Sequence, residues 1–246
     1  MLLALSVRLP IFDLGAAPYD WLTRQALWRE QIARVLAHVR GSPRRVLDLG
    51  CGPGVSAFVL AERLGPDAQV TGIDLSPKMI ERAEAHLARR YPQLASRVRF
   101  EVADATRTRF EDAAFDLAVG HSFLYLVPDR PAVLREVRRL LAPGGTLVLM
   151  EPNARGSLLT AAQRARAHAG ELLRRPSAAL RFVASMVLWR TVSGAAGRIE
   201  PEQARRLLTE AGFDACEIHP TIAGLGLHLV GRVAKRPADT AAASDP

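Results

Sequence analysis

The sequence is poor in cysteine and lysine, and it lacks any long uninterrupted hydrophobic run. Its 246 residues include only two cysteines, Cys51 and Cys216, which lie far apart in the chain. Two isolated cysteines exclude a disulfide framework and a cysteine-based metal cluster, so we expect a reducing, cytoplasmic setting and no bound metal. No run of apolar residues is long enough to span a bilayer.

The start of the chain lacks the pattern of a cleaved leader. The opening stretch MLLALSVRLPIFDLG is apolar, but Ser6, Arg8 and Pro10 interrupt it. It has neither a positively charged beginning nor a clear cleavage site. We therefore expect residues 1–40 to form an N-terminal lid or helical segment.

The positive charge of the chain comes almost entirely from arginine. The formal net charge is +8, and the only lysines are Lys78 and Lys235. A basic chain can indicate a nucleic-acid or anionic membrane partner, but the sign of the charge alone says little about function. Because the arginines are spread evenly, we favour a compositional origin. We predict no nucleic-acid partner, and peripheral contact with a membrane stays open.

Helical patterns alternate with short apolar runs along most of the chain. Helices are predicted over residues 21–39, 56–64, 78–90, 130–141 and 201–211, with a long helical stretch over 153–199. This alternation predicts a parallel α/β sheet. The runs RRVLDLG and TLVLM are apolar almost throughout, as in strands covered on both faces. The last two predicted strands, FDACEIH and GLHLVGRV, have no helix between them and should pair antiparallel.

These elements predict the domain organisation. We expect a Rossmann-like, doubly wound α/β sheet of seven strands with the last antiparallel, built from residues 41–152 and 200–235. Residues 153–199 form a helical substrate-cap insertion, and the tetrapeptide APGG before TLVLM forms a turn. The small, polar residues 236–246 are expected to be a disordered tail.

A glycine-rich loop follows the first predicted strand. Gly50, Gly52 and Gly54 lie between a strand and a helix, where the absence of Cβ atoms lets the backbone turn sharply and approach a ligand. The pattern D-x-G-x-G-x-G differs from the dinucleotide fingerprint G-x-G-x-x-G, which would need glycine at Val55. Asp48 would repel a pyrophosphate but would suit a cation or an amine. The loop therefore predicts a nucleoside ligand that carries a positive charge.

Two further acids end the next two predicted strands. Asp74 lies twenty residues after Gly54, where an acid accepts hydrogen bonds from the two ribose hydroxyls. Asp104, followed by Ala105, ends the third strand and can accept from an exocyclic adenine amine. One aspartate at a strand end is common in turns. Three at consecutive strand tips favour ligand binding.

These segments together resemble class I S-adenosylmethionine-dependent methyltransferases, in particular the small-molecule enzymes of ubiquinone and menaquinone biosynthesis. The matching segments, in chain order, are APYDWLT, VLDLGCGPGVSA, VTGIDLSPKMIERA, VRFEVADA, FDLAVGHSFLYLVPD, LREVRRLLAPGGTLVLMEP and LLTEAGFDACEIH. They cover roughly two-thirds of the chain. The resemblance implies S-adenosyl-L-methionine as cofactor and S-adenosyl-L-homocysteine as product.

The resemblance also implies roles for particular residues. Asp48 faces the cofactor's amino group, Asp74 holds the ribose, and Asp104 and Ala105 meet the adenine edge. His121 lies near the methionine end, and Tyr19 closes over the cofactor. The residues expected to line the rest of the cofactor are Gly50, Cys51, Gly52, Gly54, Leu75 and Met79. Simple core packing is an equal alternative for Leu75 and Met79.

The acceptor is predicted to be a small molecule. Base-methylating enzymes of the amino type carry [N/D]-P-P-[Y/F] after the fourth strand, where this chain reads GHSF, and the paired cysteines of C5 methylation are absent. His121 is the best-placed candidate base, followed by Tyr125 and Glu151. An oxidoreductase would need a Tyr-x-x-x-Lys motif, and this chain has no lysine for it. A protein that binds the cofactor without turnover stays open.

The insertion indicates the character of the acceptor. One set of side chains follows a helical spacing: Leu180, Val183, Met186, Val187, Trp189 and Arg190. This stripe predicts either packing on the domain core or a lid over an apolar substrate. The flanking arginines would suit a membrane surface or an acidic substrate group; they are Arg174, Arg175, Arg181 and Arg190. We favour a lipophilic acceptor, quinone-, polyketide- or lipid-like, methylated at oxygen, nitrogen or carbon. The oligomeric state stays open.

Overall fold

A seven-stranded sheet forms the centre of the fold. The computed structural model describes residues 26–165 and 176–235. The strands are β1 (Arg45–Leu49), β2 (Gln69–Asp74), β3 (Val98–Val102), β4 (Phe115–His121), β5 (Leu141–Pro152), β6 (Ala215–Thr221) and β7 (Gly226–Arg232). Their order is β3-β2-β1-β4-β5-β7-β6, and β7 pairs antiparallel with both β5 and β6. The predicted fold class is confirmed, including the antiparallel last strand.

Helices cover both faces of this sheet. They are α1 (Ala26–Ala33), α2 (Val55–Arg63), α3 (Pro77–Arg90), α4 (Arg130–Leu140), α5 (Leu158–Ala165), α6 (Pro176–Ala196) and α7 (Pro201–Glu210). Alternate residues of a strand point to opposite faces. In β1, Val46 joins the cluster that packs under α2 and α3, whereas Leu47 joins the cluster under α4 and α7. The inner strands are therefore buried on both sides.

Several predicted helix boundaries are shifted by one residue, and two predictions outside the insertion differ more from the observed structure. Helix α1 ends at Ala33 and continues as a 3-10 helix, Arg34–His38, and residues 1–25 lie outside the described part. The segment APGG belongs to β5 and does not form a separate turn. The register with β4 jumps between Phe115 and Leu117, because extra residues bulge out of β5 there.

The start of α3 follows the sequence prediction closely. Ser76 is the N-cap, and its Oγ accepts a hydrogen bond from the Met79 N–H at 3.3 Å. Pro77 occupies the first turn, where a missing N–H costs nothing. The tip of β2 lies directly before this cap. It is at the edge of the sheet where the other parallel strands also end.

The insertion is described as α5 and α6. The predicted apolar stripe divides between two faces of α6: Met186, Trp189 and Arg190 are buried, whereas Leu180, Val183 and Val187 are exposed. Peripheral contact of the exposed side chains with a membrane stays a prediction. No helix among the described residues is long and apolar enough to cross a membrane. Arg174, Arg175, the side chain of Arg181 and the predicted tail 236–246 lie outside the description.

Hydrogen bonds attach α6 to the rest of the molecule. Trp189 Nε1 donates to Ser122 Oγ at 3.0 Å, and Trp28 Nε1 donates to Ser185 Oγ at 3.0 Å. The two indole rings meet edge to face at 6.2 Å. The buried Arg190 donates to the carbonyl of Asn153 at 2.8 Å. Helix α6 is therefore held against the end of β4, where the candidate site begins.

Candidate active site

The loop between β1 and α2 has three left-handed glycines. The φ angles are +61° at Gly50, +52° at Gly52 and +88° at Gly54. A Cβ at Gly50 would lie 2.8 Å from the Cβ of Phe123, and one at Gly54 would lie 2.8 Å from the Cζ of Phe100. The sequence predicts that these glycines make room for a ligand. At these two positions the protein's own aromatic side chains already exclude a Cβ.

Asp48 lies beneath this loop and is completely buried. Its Oδ2 accepts a hydrogen bond from Ser56 Oγ, and its Oδ1 has no partner among the described residues. Burial, reinforced by the negative charge of Asp74, raises the pKa of the Asp48 carboxyl to about 7 against the opposing hydrogen bonds from Ser56 and the backbone N–H of Ala57. A buried carboxylate oxygen without a donor is costly unless something donates to it. An ammonium group, directly or through a water, would fit this oxygen.

This pKa predicts a pH-dependent affinity for S-adenosylmethionine. The cofactor's ammonium favours the ionised carboxylate, and with a pKa of about 7 roughly a tenth of Asp48 is ionised at pH 6 in the free protein. Affinity should therefore rise about tenfold between pH 6 and pH 8, measured by calorimetry. The matched variant Asp48→Asn should bind more weakly and lose this dependence. If the affinity of the wild type and of Asp48→Asn changed equally with pH, the assignment of Asp48 to the cofactor's ammonium would be contradicted.

Asp74 connects the glycine loop with the start of α3. Its Oδ2 accepts from the Gly52 N–H at 3.0 Å, and its Oδ1 accepts from the Ser76 N–H at 2.9 Å. Burial raises the pKa of this carboxyl as well. Each carboxylate oxygen has a second lone pair, so both can still accept from ribose hydroxyls. The organising contact with Gly52 is a role that the sequence argument missed.

The residues predicted to contact adenine follow Asp74 and β3. Leu75 is 43% exposed and Met79 is 5% exposed. Leu75 therefore offers an apolar surface to a ring, whereas Met79 matches the core-packing alternative. Asp104 is exposed, and its Oδ1 accepts from the N–H and the hydroxyl of Thr106, both at 2.8 Å. The half-buried Ala105 follows at the same strand tip.

His121 ends β4 on the same face of the sheet as Asp48. Its Nε2 lies 3.3 Å from the carbonyl oxygen of Ile32. A carbonyl only accepts, so Nε2 carries the proton and Nδ1 carries the lone pair. Nδ1 is buried and has no partner among the described residues. Burial lowers the pKa of His121 to about 4, so the ring is neutral at pH 7 and presents a free proton acceptor.

The other two candidate bases have a different environment. Glu151 is completely buried, and its carboxylate accepts from the N–H groups of Phe123 at 3.2 Å, Leu124 at 2.9 Å and Tyr125 at 3.1 Å. Burial raises its pKa to about 7 against the opposing effect of these hydrogen bonds. This geometry favours a role in shaping the loop after β4. Proton transfer by Tyr125 or Glu151 stays a prediction.

Cys51 and Tyr19 are the two remaining residues predicted to contact the cofactor. Cys51 is buried, its Sγ lies 3.7 Å from the Gly52 carbonyl oxygen, and burial raises the pKa of its thiol. The thiol is therefore uncharged, and it packs beneath the loop. Tyr19 lies outside the described residues. No group of three or more His, Cys, Asp or Glu side chains that could hold a metal is found in the described ranges.

These groups fit S-adenosylmethionine. Carboxylates lie at or just beyond the tips of β1, β2 and β3, where the sequence predicts contacts with an ammonium, a ribose and an adenine edge. The unpartnered Oδ1 of Asp48 is the observation that fits the ammonium. The fold and the site thus define an α/β protein of the nucleoside-binding, methyltransferase type. A family model described as a methyltransferase domain matches residues 41–212. The chain belongs to this family.

Known proteins agree with the family. The chain is 42% identical over 134 residues to trans-aconitate 2-methyltransferase of Methylobacterium radiotolerans, covering 54% of this chain and 46% of that protein. It is 34% identical over 147 residues to demethylmenaquinone methyltransferase of Lactococcus lactis, covering 57% and 56%. The chain thus spans about half the length of the curated relatives it matches.

A solved structure with the same fold is phosphoethanolamine N-methyltransferase 2 of Haemonchus contortus, in complex with phosphomonomethylethanolamine and S-adenosylhomocysteine. The TM-score is 0.61 at 18% identity, over 91% of this chain and 58% of that chain. At this identity the likeness supports the fold.

Proposed function

We propose that this protein transfers a methyl group from S-adenosylmethionine to a small-molecule acceptor. The observation that carries the proposal is the buried Asp48, whose Oδ1 is unpartnered beneath the glycine loop that Asp74 also contacts. A site for a pyrophosphate would not keep a carboxylate there. The printed names of the curated relatives, which are small-molecule methyltransferases, support the same reaction class.

The protein's contribution is alignment and the exclusion of water. S-adenosylmethionine, when bound, supplies a methyl group on a sulfonium that is already a good leaving group. Asp48 and Asp74 would hold the amino group and the ribose, which orients that methyl toward the acceptor. His121 presents an unprotonated Nδ1 at the end of β4, and it would accept the proton that a neutral acceptor loses. A pKa of about 4 makes it a weak base, suited to transfer late in the reaction.

The insertion 153–199 is the proposed cap over the acceptor. Its α6 contacts Ser122, the residue after His121, through Trp189. Trp28, Met186 and Trp189 are buried together near this point and would give an apolar wall. These contacts support a lipophilic acceptor of the quinone, polyketide or lipid kind. The sheet domain 41–152 and 200–235 would bind the cofactor, and the free cysteines Cys51 and Cys216 fit the cytoplasm.

A turnover screen tests the proposal. S-adenosylhomocysteine release is measured with lipophilic phenols, hydroquinones and amines, at a fixed concentration of S-adenosylmethionine. We expect at least one class to raise the release above the acceptor-free rate, and His121→Gln to lower kcat by a larger factor than it changes cofactor affinity. Tight cofactor binding with no acceptor-dependent release across the panel would favour the non-catalytic alternative instead.

A further inference from the structure

A cavity of about 390 Å³ lies between the 3-10 helix Arg34–His38 and the outer strands β6 and β7. Its polar lining comes from Arg34, His38, His219, His228 and Thr221. None of the described residues that line it is acidic. The cavity opens at the end of β6, which is the same edge of the sheet as the tips of β1 to β4. It therefore adjoins the proposed site without belonging to the cofactor's part of it.

Three imidazole rings converge on this cavity. The rings of His38 and His219 stack at 4.6 Å, and His38 meets His228 edge to face at 4.9 Å. His38 Nε2 and His228 Nδ1 lie 2.9 Å apart, so one of them donates to the other. His38 and His228 are 190 positions apart in the chain. Such a cluster of ring nitrogens beside a guanidinium offers several hydrogen-bond donors and a positive charge.

One imidazole is left without its second partner. His228 is 4% exposed, and its Nε2 is buried with no partner among the described residues. An unsatisfied buried polar atom costs about 1–3 kcal/mol. His228 lines the cavity, so a ligand bound there is one explanation for the unpaired ring nitrogen.

The backbone on the other wall is strained. Ile222 and Ala223 have φ angles of +49° and +53°, in the left-handed region that β-branched residues and alanine avoid. Side-chain and backbone bonds hold this turn: Asn153 Nδ2 donates to the Gly224 carbonyl at 2.9 Å, and the Leu225 N–H donates to the Ile222 carbonyl at 3.0 Å. Strain of this kind concentrates at ligand sites.

Burial and nearby positive groups lower the pKa values of His228 and His38. Burial, together with its neighbours His38, His121, His219 and Arg34, lowers the pKa of His228 to about 3. Burial and His219 lower the pKa of His38, with Arg232 acting in the same direction and Glu217 opposing it. Glu217 is bound to His219 at 3.1 Å and to Arg232 at 3.2 Å. An anion in the cavity would reverse these shifts and draw in a proton.

The strand register gives the distance to the reacting centre. His121 pairs with Met150, and Met150 pairs with His228, so these side chains lie in one row on one face. Neighbouring strands lie about 4.8 Å apart, so two spacings separate His121 from His228 by about 10 Å. A small molecule of the size of a substituted aromatic ring can span that distance.

We propose that this cavity anchors the acceptor through an anionic oxygen group, carboxylate or phosphate, which His38, His228 and Arg34 hold about two strand spacings from the candidate base His121. The inference rests on the proposed function, and it adds an anionic end to an otherwise apolar acceptor. In the neutral pair, the bond between His38 and His228 uses one of the two N–H groups and leaves one for the anion. The proton taken up on binding supplies a further N–H, and Arg34 supplies charge at the rim.

The test uses the full chain saturated with S-adenosylhomocysteine. Benzoate and phenyl phosphate are the probes, and benzamide is the neutral control of similar shape. Calorimetry gives the affinities, and NMR follows the ring protons of the histidines. We expect both anions to shift the signals of His38, His219 and His228 but not of His86, which is bound to the Pro53 carbonyl on the other side of the cofactor loop. Binding should take up a proton and tighten as the pH falls.

Two variants locate the site. Arg34→Ala removes an exposed charge without disturbing the core, and we expect it to weaken anion binding about tenfold. His228→Phe keeps the ring and removes both nitrogens, with a similar loss. Arg90→Ala, an exposed arginine on α3, is the matched control and should change nothing. None of these variants should alter the affinity for S-adenosylhomocysteine.

The outcomes separate this inference from the proposed function. Equal binding of benzoate and benzamide, or equal losses in Arg34→Ala and Arg90→Ala, would overturn the anion site while leaving cofactor binding intact. Failure of S-adenosylhomocysteine to bind would overturn the proposed function. Benzoate binding in that case would contradict the assignment of the cavity to an acceptor. Preference for phenyl phosphate over benzoate, or the reverse, identifies the anionic group.

Discussion

Replacing Asp74 with alanine is expected to weaken S-adenosylmethionine binding about 100-fold or more. The carboxylate would accept hydrogen bonds from two ribose hydroxyls, and bonds to a charged group contribute about 1.5–3 kcal/mol each. A loss of about 2.7 kcal/mol already corresponds to 100-fold. The variant also loses the hydrogen bond that holds the Gly52 N–H at 3.0 Å, which disturbs the loop itself. Calorimetric titration measures the effect.

Two companion variants make this result interpretable. Asp74→Asn keeps one acceptor oxygen for the Gly52 or Ser76 N–H and should lose less affinity than alanine. Asp67→Ala removes an exposed aspartate from the turn before β2 and should bind as wild type does. Circular dichroism verifies that each variant is folded. Full cofactor affinity in folded Asp74→Ala would contradict the ribose assignment.

Replacing Glu151 with alanine is expected to lower the free energy of unfolding by at least about 3 kcal/mol. The change leaves three buried N–H groups, those of Phe123, Leu124 and Tyr125, without an acceptor. Each unsatisfied group costs about 1–3 kcal/mol. The loop after β4 also carries Ser122, to which Trp189 of α6 is bound. Urea unfolding followed by fluorescence measures the loss.

Matched variants separate this effect from general damage. Glu151→Gln retains an amide oxygen that can accept at least one of the three bonds, so its loss should be smaller. Glu84→Ala, on the exposed side of α3, should change stability by less than about 0.5 kcal/mol. A Glu151→Ala protein as stable as Glu84→Ala would show that the carboxylate does not hold the loop.

Stability should also depend on pH through Glu151. Its pKa is raised to about 7 in the folded protein, above the ordinary value of 4.5. The folded state therefore binds a proton that the unfolded state has lost between these two values. By linkage, stability falls as the pH rises from about 4.5 to about 7. Glu151→Gln should lack this contribution, which the same urea series at several pH values measures.

The parts of the site that the sequence predicts are those carried by short segments. Asp48, Asp74 and Asp104 each follow from a strand pattern and a turn within a few residues, because strand ends in a parallel sheet meet at one edge. The cap at Ser76 is equally local. The same holds for the antiparallel last strand, which followed from the missing helix between β6 and β7.

What sequence reasoning missed depends on contacts between distant residues. The alternating pattern places His228 on a strand but gives no sign that His38 lies 2.9 Å from it. Phe123 fills the space beside Gly50, and Phe100 fills the space beside Gly54. From the glycine motif alone, that space is expected to hold a ligand. Its position at the tip of the fifth strand makes Glu151 a candidate base, whereas its burial and its three backbone partners are visible only in the folded chain. An acid within an apolar strand is the signal that could have indicated a structural role.

The most direct test of the central claim is a calorimetric titration of the wild-type chain with S-adenosylmethionine, S-adenosylhomocysteine and NADH. We predict saturable one-site binding of the first two and no binding of NADH, because Asp48 and the D-x-G-x-G-x-G loop disfavour a pyrophosphate. Binding of NADH with no heat from either sulfur compound would contradict the account.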